Sequence, residues 1–556
     1  MPSTTVTGLA SGIQWQDTID QLMQLERRPV DILESRKAEY QAKSSAWTQL
    51  ESLLSTLQST SEGMDELTEL VSKSASSSDT DFLSVSAEAS AISGTHTVEI
   101  NQLAQNEIRV HDTGWPDLNT TSITQTGNTF QYTFEGLTRT ITLNNGATML
   151  DLVQAINNHE NNIDDPDGDI PRITASTLDD GSASNSIHLV MTADESTSAN
   201  SLTIDDGVGE TDIGTATIDF DDTDFVNTQD AQNSEFRVDG YPTAGWISRD
   251  SNIIDDVLEG LTFTLKDADA GATSVTVGVA NDYVSTKAKI NDWVDAYNDI
   301  MQFISDTTSY DAENEVMGIL MNDSQVRTVR DQLISIVANE IPGADESTQY
   351  TSFAMAGLDL SDGSKIKIDD SDLQDALEDD VEAVANMFVF SHSTTDSAID
   401  FFTKTDATMG GEYAVSATYL ASGKLDDTAS NTIGGYAATV VDDYYLLGPD
   451  DSPIEGLRLR FESPGGAGGT INATVRIGTG AAVMADHKVG VLTDSIDGLF
   501  TSVKDGFESQ IDHIDEQIES YEERLEIKRQ TLEAQYLAME QAVSEANATS
   551  SYLSSL

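Results

Sequence analysis

Two lines of apolar residues at opposite ends of the chain restrict its fold more than any other feature. Near the C-terminal end, Phe507, Ile511, Ile514, Ile518, Tyr521, Leu525, Leu532, Met539, Ala542 and Ala546 recur at steps of three, four or seven, the spacing of a coiled-coil seam. Acids such as Glu508, Asp512, Glu516, Glu519 and Glu523 flank the line, and neither Gly nor Pro interrupts residues 507–556, so the spacing predicts one long helix. Lys528 and Gln535 stand at seam positions, where a polar residue fixes register at a cost in stability. At the other end, Leu33, Tyr40, Trp47 and Leu54 recur at seven-residue steps, with Leu50, Leu57 and Met64 as a second line. Pro29 fits the first turn of that helix, where its missing N–H costs least. Both stripes need burial, and the simplest arrangement pairs the two ends as a helical stalk with the remaining chain looped out as domains.

Charge excludes several function classes. The 556 residues hold 96 Asp and Glu against 28 Lys and Arg, a formal net charge of −68. Nucleic acid and anionic membranes would be repelled, and no apolar run approaches the ~18 residues of a membrane span. Neither nucleic-acid binding nor membrane insertion is expected. Apolar residues still make up 38% of the chain, so the acid decorates foldable sequence, as in a halophilic protein whose self-repulsion is screened within about 3 Å at 1 M salt. There is no cysteine, hence no disulfide and no thiolate metal site. The start Met1-Pro-Ser-Thr-Thr-Val-Thr-Gly-Leu-Ala lacks a basic segment followed by an apolar one, so no cleaved signal peptide is expected.

Along the chain the period of the apolar residues alternates between about 3.6 and 2. This predicts an α+β multidomain protein, with a coiled-coil stalk from paired N- and C-terminal helices and inserted antiparallel β-rich domains. The expected divisions are an N-terminal helical segment 1–45, a stalk helix 46–80, a β-rich domain from 81–111 and 231–280, and an outer β-rich domain 112–230. A helical stalk domain 281–390, a β insertion 391–490 and a C-terminal coiled-coil helix 491–556 complete the chain. Thr148 is a candidate N-cap for a short helix reaching Asn158. Ile290, Trp293, Tyr297, Ile300 and Ile304 form one later helical face, Val326, Val329, Leu333 and Ile336 a second, and Leu373, Leu377, Val381, Val384 and Phe388 a third. Gly94 to Ala104 and Gly411 to Ala421 share Gly, Val, Leu and Ala at matching offsets, which points to a duplicated strand-and-turn unit as well as to the similarity that alternation alone produces.

No constellation for catalysis emerges. The histidines His96, His111, His159, His188, His392, His487 and His513 are dispersed, without a second ligand at metal spacing. No nucleophile elbow, phosphate loop or dinucleotide fingerprint is present. Asp165-Pro-Asp167-Gly-Asp169 lacks the final Glu of an EF-hand loop and reads as a solvated acidic turn. Catalytic residues, metal and cofactors are therefore all expected to be none.

Longer motifs carry a resemblance. Gly8-Leu-Ala-Ser-Gly-Ile-Gln-Trp-Gln-Asp-Thr-Ile-Asp-Gln-Leu-Met-Gln-Leu-Glu-Arg-Arg-Pro29-Val resembles the N-terminal signature of the flagellar filament-capping family, hook-associated protein 2. The strand Gly94 to Ala104 resembles that family's G-x-Y-x-V-x-V-x-x-L-A, with His96 where an aromatic is usual. Thr142 to Asn157 is similar to a motif shared by flagellins and hook-associated proteins. Ser251 to Lys266 with Val294-Asp-Ala-Tyr-Asn298, and Gln535 to Leu556, are similar to the start and end of the family's C-terminal region. Residues 391–490 have no counterpart in these motifs.

The resemblance implies a non-enzymatic, homo-oligomeric ring at the filament tip of the bacterial flagellum. Such a ring promotes folding and polymerisation of exported flagellin, prevents its loss, and is needed for motility, with adhesion as a secondary role. The implied partners are flagellin, the filament or hook end, further copies of the chain, the export machinery and a chaperone, and the implied location is extracellular. Leu9, Ile13, Trp15, Ile19, Leu22, Met23, Leu553 and Leu556 complete no stripe traceable elsewhere and are the candidate filament-contacting residues; Ile511, Ile514, Ile518, Tyr521, Leu525, Leu532 and Met539 are the seam. A secreted adhesin or glycan-binding protein is the alternative class, and a hydrolase with a convergent carboxylate site the enzymatic one.

Overall fold

The computed structural model describes residues 15–125, 128–134, 136–161, 172–193, 202–205, 213–214, 220, 222–312, 315–344, 350–361, 364–405 and 407–554. Leu9, Ile13, Leu556 and the acidic turn 165–169 lie outside them. The chain divides into two compact units, one formed by the segments up to Val71 and from Tyr283 onward, the other by Ser72–Asp282. The helices are α1 (Trp15–Glu26), α2 (Arg28–Glu62), α3 (Leu67–Leu70), α4 (Met149–Asn161), α5 (Tyr283–Thr308), α6 (Ser324–Val337), α7 (Asp370–Ala385), α8 (Ala481–Thr493) and α9 (Leu499–Ser554).

In the first unit, α2, α5, α6, α7, α8 and the start of α9 share one core, and all three apolar faces read from residues 290–388 are buried in it. Trp293 sits centrally, stacked on Tyr297 and Phe353 with ring centroids 6.0 and 6.2 Å away and meeting Phe388 edge-on. Its buried Nε1 donates to Ser61 Oγ at 2.9 Å, which answers the cost of an unpaired indole N–H. Asp323 links local and tertiary structure. One carboxylate oxygen caps α6 through Gln325 N at 2.9 Å, and the other accepts from Trp47 Nε1 at 3.0 Å. The third face runs through a break at Asp380, whose carboxylate accepts from Ala383 N at 2.9 Å and restarts the helix.

Between α7 and α8 the first unit carries a β-sandwich. A five-stranded sheet (Phe390–Thr394, Gly468–Thr479, Gly411–Leu420, Thr432–Ile433, Tyr436–Ala437) and a four-stranded sheet (Ile399–Thr403, Arg458–Phe461, Tyr445–Leu447, Thr439–Val441) close over one core. The second unit has two cores of its own. One lies between a five-stranded sheet (Lys73–Ser77, Ser274–Asn281, Gly94–Gln102, Ser234–Val238, Ile247–Arg249) and a three-stranded sheet (Ile253–Ile254, Leu261–Leu265, Leu83–Ala87). The other is built from strands between Ile108 and Gln229 with α4. The predicted Thr148 cap is present: Thr148 N donates to the Asp151 carboxylate at 2.8 Å and Asp151 N reaches back to Thr148 Oγ1, a reciprocal cap of the kind that satisfies two free N–H groups.

Several expected boundaries move. One helix, α2, crosses the division at 45/46 and ends at Gly63, so 46–80 is not a single stalk helix. Lys73–Ser77 is a strand because its backbone pairs with Ser274–Asn281 along the sheet edge, an attachment that no local propensity of a Ser-rich run announces. Residues 481–488 are helical, not β. Ala481, Ala482 and Ala485 are fully buried in the helical core, where their small side chains let α8 lie close to its neighbours. The last helix starts at Leu499 rather than near Val491, since Asp494 turns the chain by accepting from Ile496 N and Asp497 N, both at 2.8 Å.

Candidate functional site: the antiparallel stalk

Pro29 breaks the N-terminal helix at Arg27 and stands in the first turn of α2, where it removes no helical hydrogen bond. On either side of this kink, α1 and α2 run antiparallel along α9. The contacts step down one strand of the stalk as they step up the other. Trp47 meets the Phe500 ring edge-on at 4.8 Å, and Tyr40 lies 6.2 Å from Phe507. Glu51 pairs with Lys504 at 2.7 Å, Lys37 with Asp515 at 2.6 Å, Arg27 with Glu522 at 3.6 Å, Glu26 with Lys528 at 2.6 Å and Asp20 with Arg529 at 2.8 Å. Trp15 then stacks on Tyr536 with centroids 6.0 Å apart and rings 7° from parallel. The polar seam position Lys528 is thus explained by its partner Glu26. Exposed pairs of this kind each contribute only about 0–1 kcal/mol, but five at matching positions penalise a slip in register.

Burial along α9 is uneven. Ile514 is buried, whereas Ile511, Ile518, Tyr521, Leu525, Leu532 and Met539 are half-buried. A single antiparallel partner covers only part of a seam this wide. Beyond Leu532 the contact line passes to Tyr536, Met539 and Val543, while Ala542 and Ala546 are exposed. An α-helix drifts by about 20° per heptad relative to a strict seven-residue repeat, and that drift carries the line one residue on.

The expected filament-contacting residues separate into two groups. Trp15 and Ile19 are buried, Trp15 against this chain's own Tyr536, so they complete a stripe inside the stalk, contrary to the expectation that the N-terminal apolar residues have no partner here. Met23 is half-buried, and Leu22 and Leu553 are exposed, Leu553 by 65%. Leu25, Ile527 and Leu537 are also exposed on α1 and α9; the sequence marks them only as apolar residues off the seam. Among the described residues no cluster of three or more His, Cys, Asp or Glu is placed to hold a metal ion, and no helix is long and apolar enough to cross a membrane.

At the root of the stalk, Asp65 follows α2, and its backbone carbonyl accepts from Phe390 N at 2.7 Å, tying the start of the β insertion to the turn. Partial burial, a hydrogen bond with Glu69 and the negative charges of Glu69, Glu66 and Asp486 push its carboxyl up to about 6 from an ordinary 3.8. An acid with a raised folded pKa disfavours the folded state once ionised. The penalty is absent below the unfolded pKa, grows as pH rises through the window between the two values, and is complete above the folded one. Asp65→Asn is therefore expected to raise the urea midpoint at pH 7.5 and to do so much less at about pH 4.5. An equal gain at both pH values in equilibrium unfolding would rule this out.

Two stretches that together make up most of the chain match a known family. The description "Flagellar hook-associated protein 2 N-terminus" matches residues 11–107, and "Flagellar hook-associated protein 2 C-terminus" matches residues 231–548. The chain is 27% identical over 328 residues to lateral flagellar hook-associated protein 2 of Vibrio parahaemolyticus, covering 57% of this chain and 68% of the relative. It is 26% identical over 404 residues to flagellar hook-associated protein 2 of Escherichia coli K12, covering 70% and 81%. Among solved structures it is similar to the D1-D2-D3 domains of the flagellar cap protein FliD from Escherichia coli, with a TM-score of 0.48 and 24% identity over 62% of this chain and 89% of that one. The C-terminal match alone spans more than half of the 556 residues and takes in α5 to α8 and most of α9, so the chain belongs to the flagellar hook-associated protein 2 family, the proteins that cap the flagellar filament.

Proposed function

We propose that the protein works as a homo-oligomeric ring at the filament end, where it retains exported flagellin, assists its folding and lets it polymerise beneath the cap. Filament cap proteins are flagellar and extracellular. The reading assigns the protein no chemical step: its work is binding and release. The observation that carries it is the distal stalk, where α1 and the distal half of α9 leave Leu22, Leu25, Ile527, Leu537 and Leu553 exposed. Exposed apolar side chains along the distal part of an acidic stalk are where a second protein gains most from burial. Residues Leu9, Ile13 and Leu556 belong to the same extremities in sequence, and Trp15 and Ile19 hold α1 so that its outer face is presented. Export through the flagellar channel, with a chaperone on the way, completes the set of partners.

Replacing Leu22 and Leu25 together by Asp tests the stalk assignment, because both side chains are exposed. In a strain whose own gene is deleted, the wild-type chain should restore swimming. The double variant should release flagellin into the medium at least tenfold more than wild type while its melting temperature stays within about 2 °C, the range of a surface substitution. Normal filaments in the variant strain would refute the assignment.

A further inference from the structure

The β insertion and the sandwich of the second unit are built alike to the register. In each, the first strand pairs with the last, and its first residue faces the last strand's final residue: Lys73 opposite Asn281, Phe390 opposite Thr479. The second strand pairs with the penultimate one, again first against last: Leu83 opposite Leu265, Ile399 opposite Phe461. The third strand opens on Gly and faces the residue two before the end of the last strand: Gly94 opposite Val279, Gly411 opposite Ile477. Further along the third strand Val98 faces Val238, and Val415 faces Ile433. Ile253 faces Thr264 as Tyr445 faces Arg460, whereas the hairpin after the fourth strand differs, Phe236 facing Ile247 and Ile433 facing Tyr436, and the pairing of Thr439–Val441 with Tyr445–Leu447 belongs to the insertion. In both, one residue follows the last strand before a helix begins, at Tyr283 and at Ala481. Strand register is set by non-local packing, so agreement across the first three strands and the last two points to common descent within one chain. The largest difference is in the loop after the third strand, which in the first copy holds the whole outer β module and in the second only residues 421–431.

With one copy as an internal control, the divergent face stands out. On the outer side of the smaller sheet the first sandwich carries Ser84 opposite Thr264 and Ser86 opposite Thr262. At the same places the insertion carries Asp400 opposite Arg460, and then Phe402, bulged out of the ladder, beside Arg458. Phe402 is 49% exposed. Its ring lies 4.8 Å from Tyr445, and the Arg458 guanidinium sits 4.1 Å over Tyr445 and 5.4 Å over Phe402. Arg458 pairs with Asp442 at 3.0 Å and Arg460 with Asp400 at 3.5 Å. We propose that residues 390–479 are a duplicate of the 73–281 sandwich in which this outer sheet face has become a docking surface for a second copy of the chain.

Aromatic residues and Arg dominate protein interfaces, and charge selects the occupant. Over a chain with 96 acids and 28 bases, most encounters between copies bring carboxylate to carboxylate. On this face the charges balance, Asp442 and Asp400 against Arg458 and Arg460, so a second copy meets no net repulsion there. The inference rests on the reading that copies assemble at the filament end.

The test is self-association of the full chain by sedimentation velocity across a concentration series. Phe402→Ser with Tyr445→Thr, which removes both rings from the face, should weaken association at least tenfold. Arg460→Glu, an exposed change that leaves the rings in place, should do the same and serves if the first variant fails to fold. Unchanged association in both variants, or a wild-type chain that stays monomeric throughout, overturns the docking surface. Association lost in the variants while a complemented strain still retains its flagellin would support the surface and remove the ring from the functional reading. Binding of an oligosaccharide that is lost with Phe402→Ser, without any change in association, would give the face to a glycan and overturn the proposal.

Discussion

Replacing Trp47 by Ala is expected to destabilise the helical core by about 3–5 kcal/mol, the usual cost of removing a buried Trp side chain. Trp47 is fully buried on α2 and meets Phe500 edge-on, so its loss opens a cavity where α9 enters the core. It also removes the Nε1 donor to Asp323, and that carboxylate oxygen then lacks a partner in a part-buried site. Trp47→Phe separates the two contributions, since a ring remains against Phe500 and the lost hydrogen bond accounts for about 0.5–1.5 kcal/mol. Urea unfolding followed by amide exchange in α2 and α5 reads the core itself. A loss below about 1.5 kcal/mol for Trp47→Ala would contradict the placement of Trp47 at the junction of stalk and core.

The second large effect concerns α1. Deleting residues 1–27 removes Trp15 from Tyr536, Glu26 from Lys528 and Asp20 from Arg529, which keeps only its pair with Glu533 on its own helix. Amides of α9 from about 525 to 540 should then exchange at least tenfold faster, corresponding to about 1.4 kcal/mol of lost local stability. Protection in α5 and α6 should not change, because their core residues belong to a separate cluster. Unaltered exchange at residues 525–540 in the deletion variant would show that α1 does not hold the distal stalk.

The sequence by itself determined the elements of the stalk and the chemistry of their ends. The seven-residue lines at Leu33–Leu54 and Phe507–Leu532 define which faces of α2 and α9 seek burial, Pro29 sets the kink, and Thr148 caps α4, because each is an effect within one or two helical turns. Period-two alternation likewise marks Gly94–Gln102 and Gly411–Leu420 as strands, and the shared Gly, Val, Leu and Ala are the visible trace of their common origin. Tertiary structure alone decided the rest. Trp15 is buried because Tyr536 happens to lie opposite it, more than five hundred residues away, and the contact line leaves Ala542 for Val543 because helix drift accumulates over several turns. The Ser-rich segment Lys73–Ser77 is a strand only through Ser274–Asn281. The duplication could be read in full only from strand order and register, since alternation fixes which side of a strand faces inward but leaves its partner open. Local sequence encodes period, caps and breaks; which elements meet, and which residue of a broad seam is covered, depends on the geometry of partners far away in the chain.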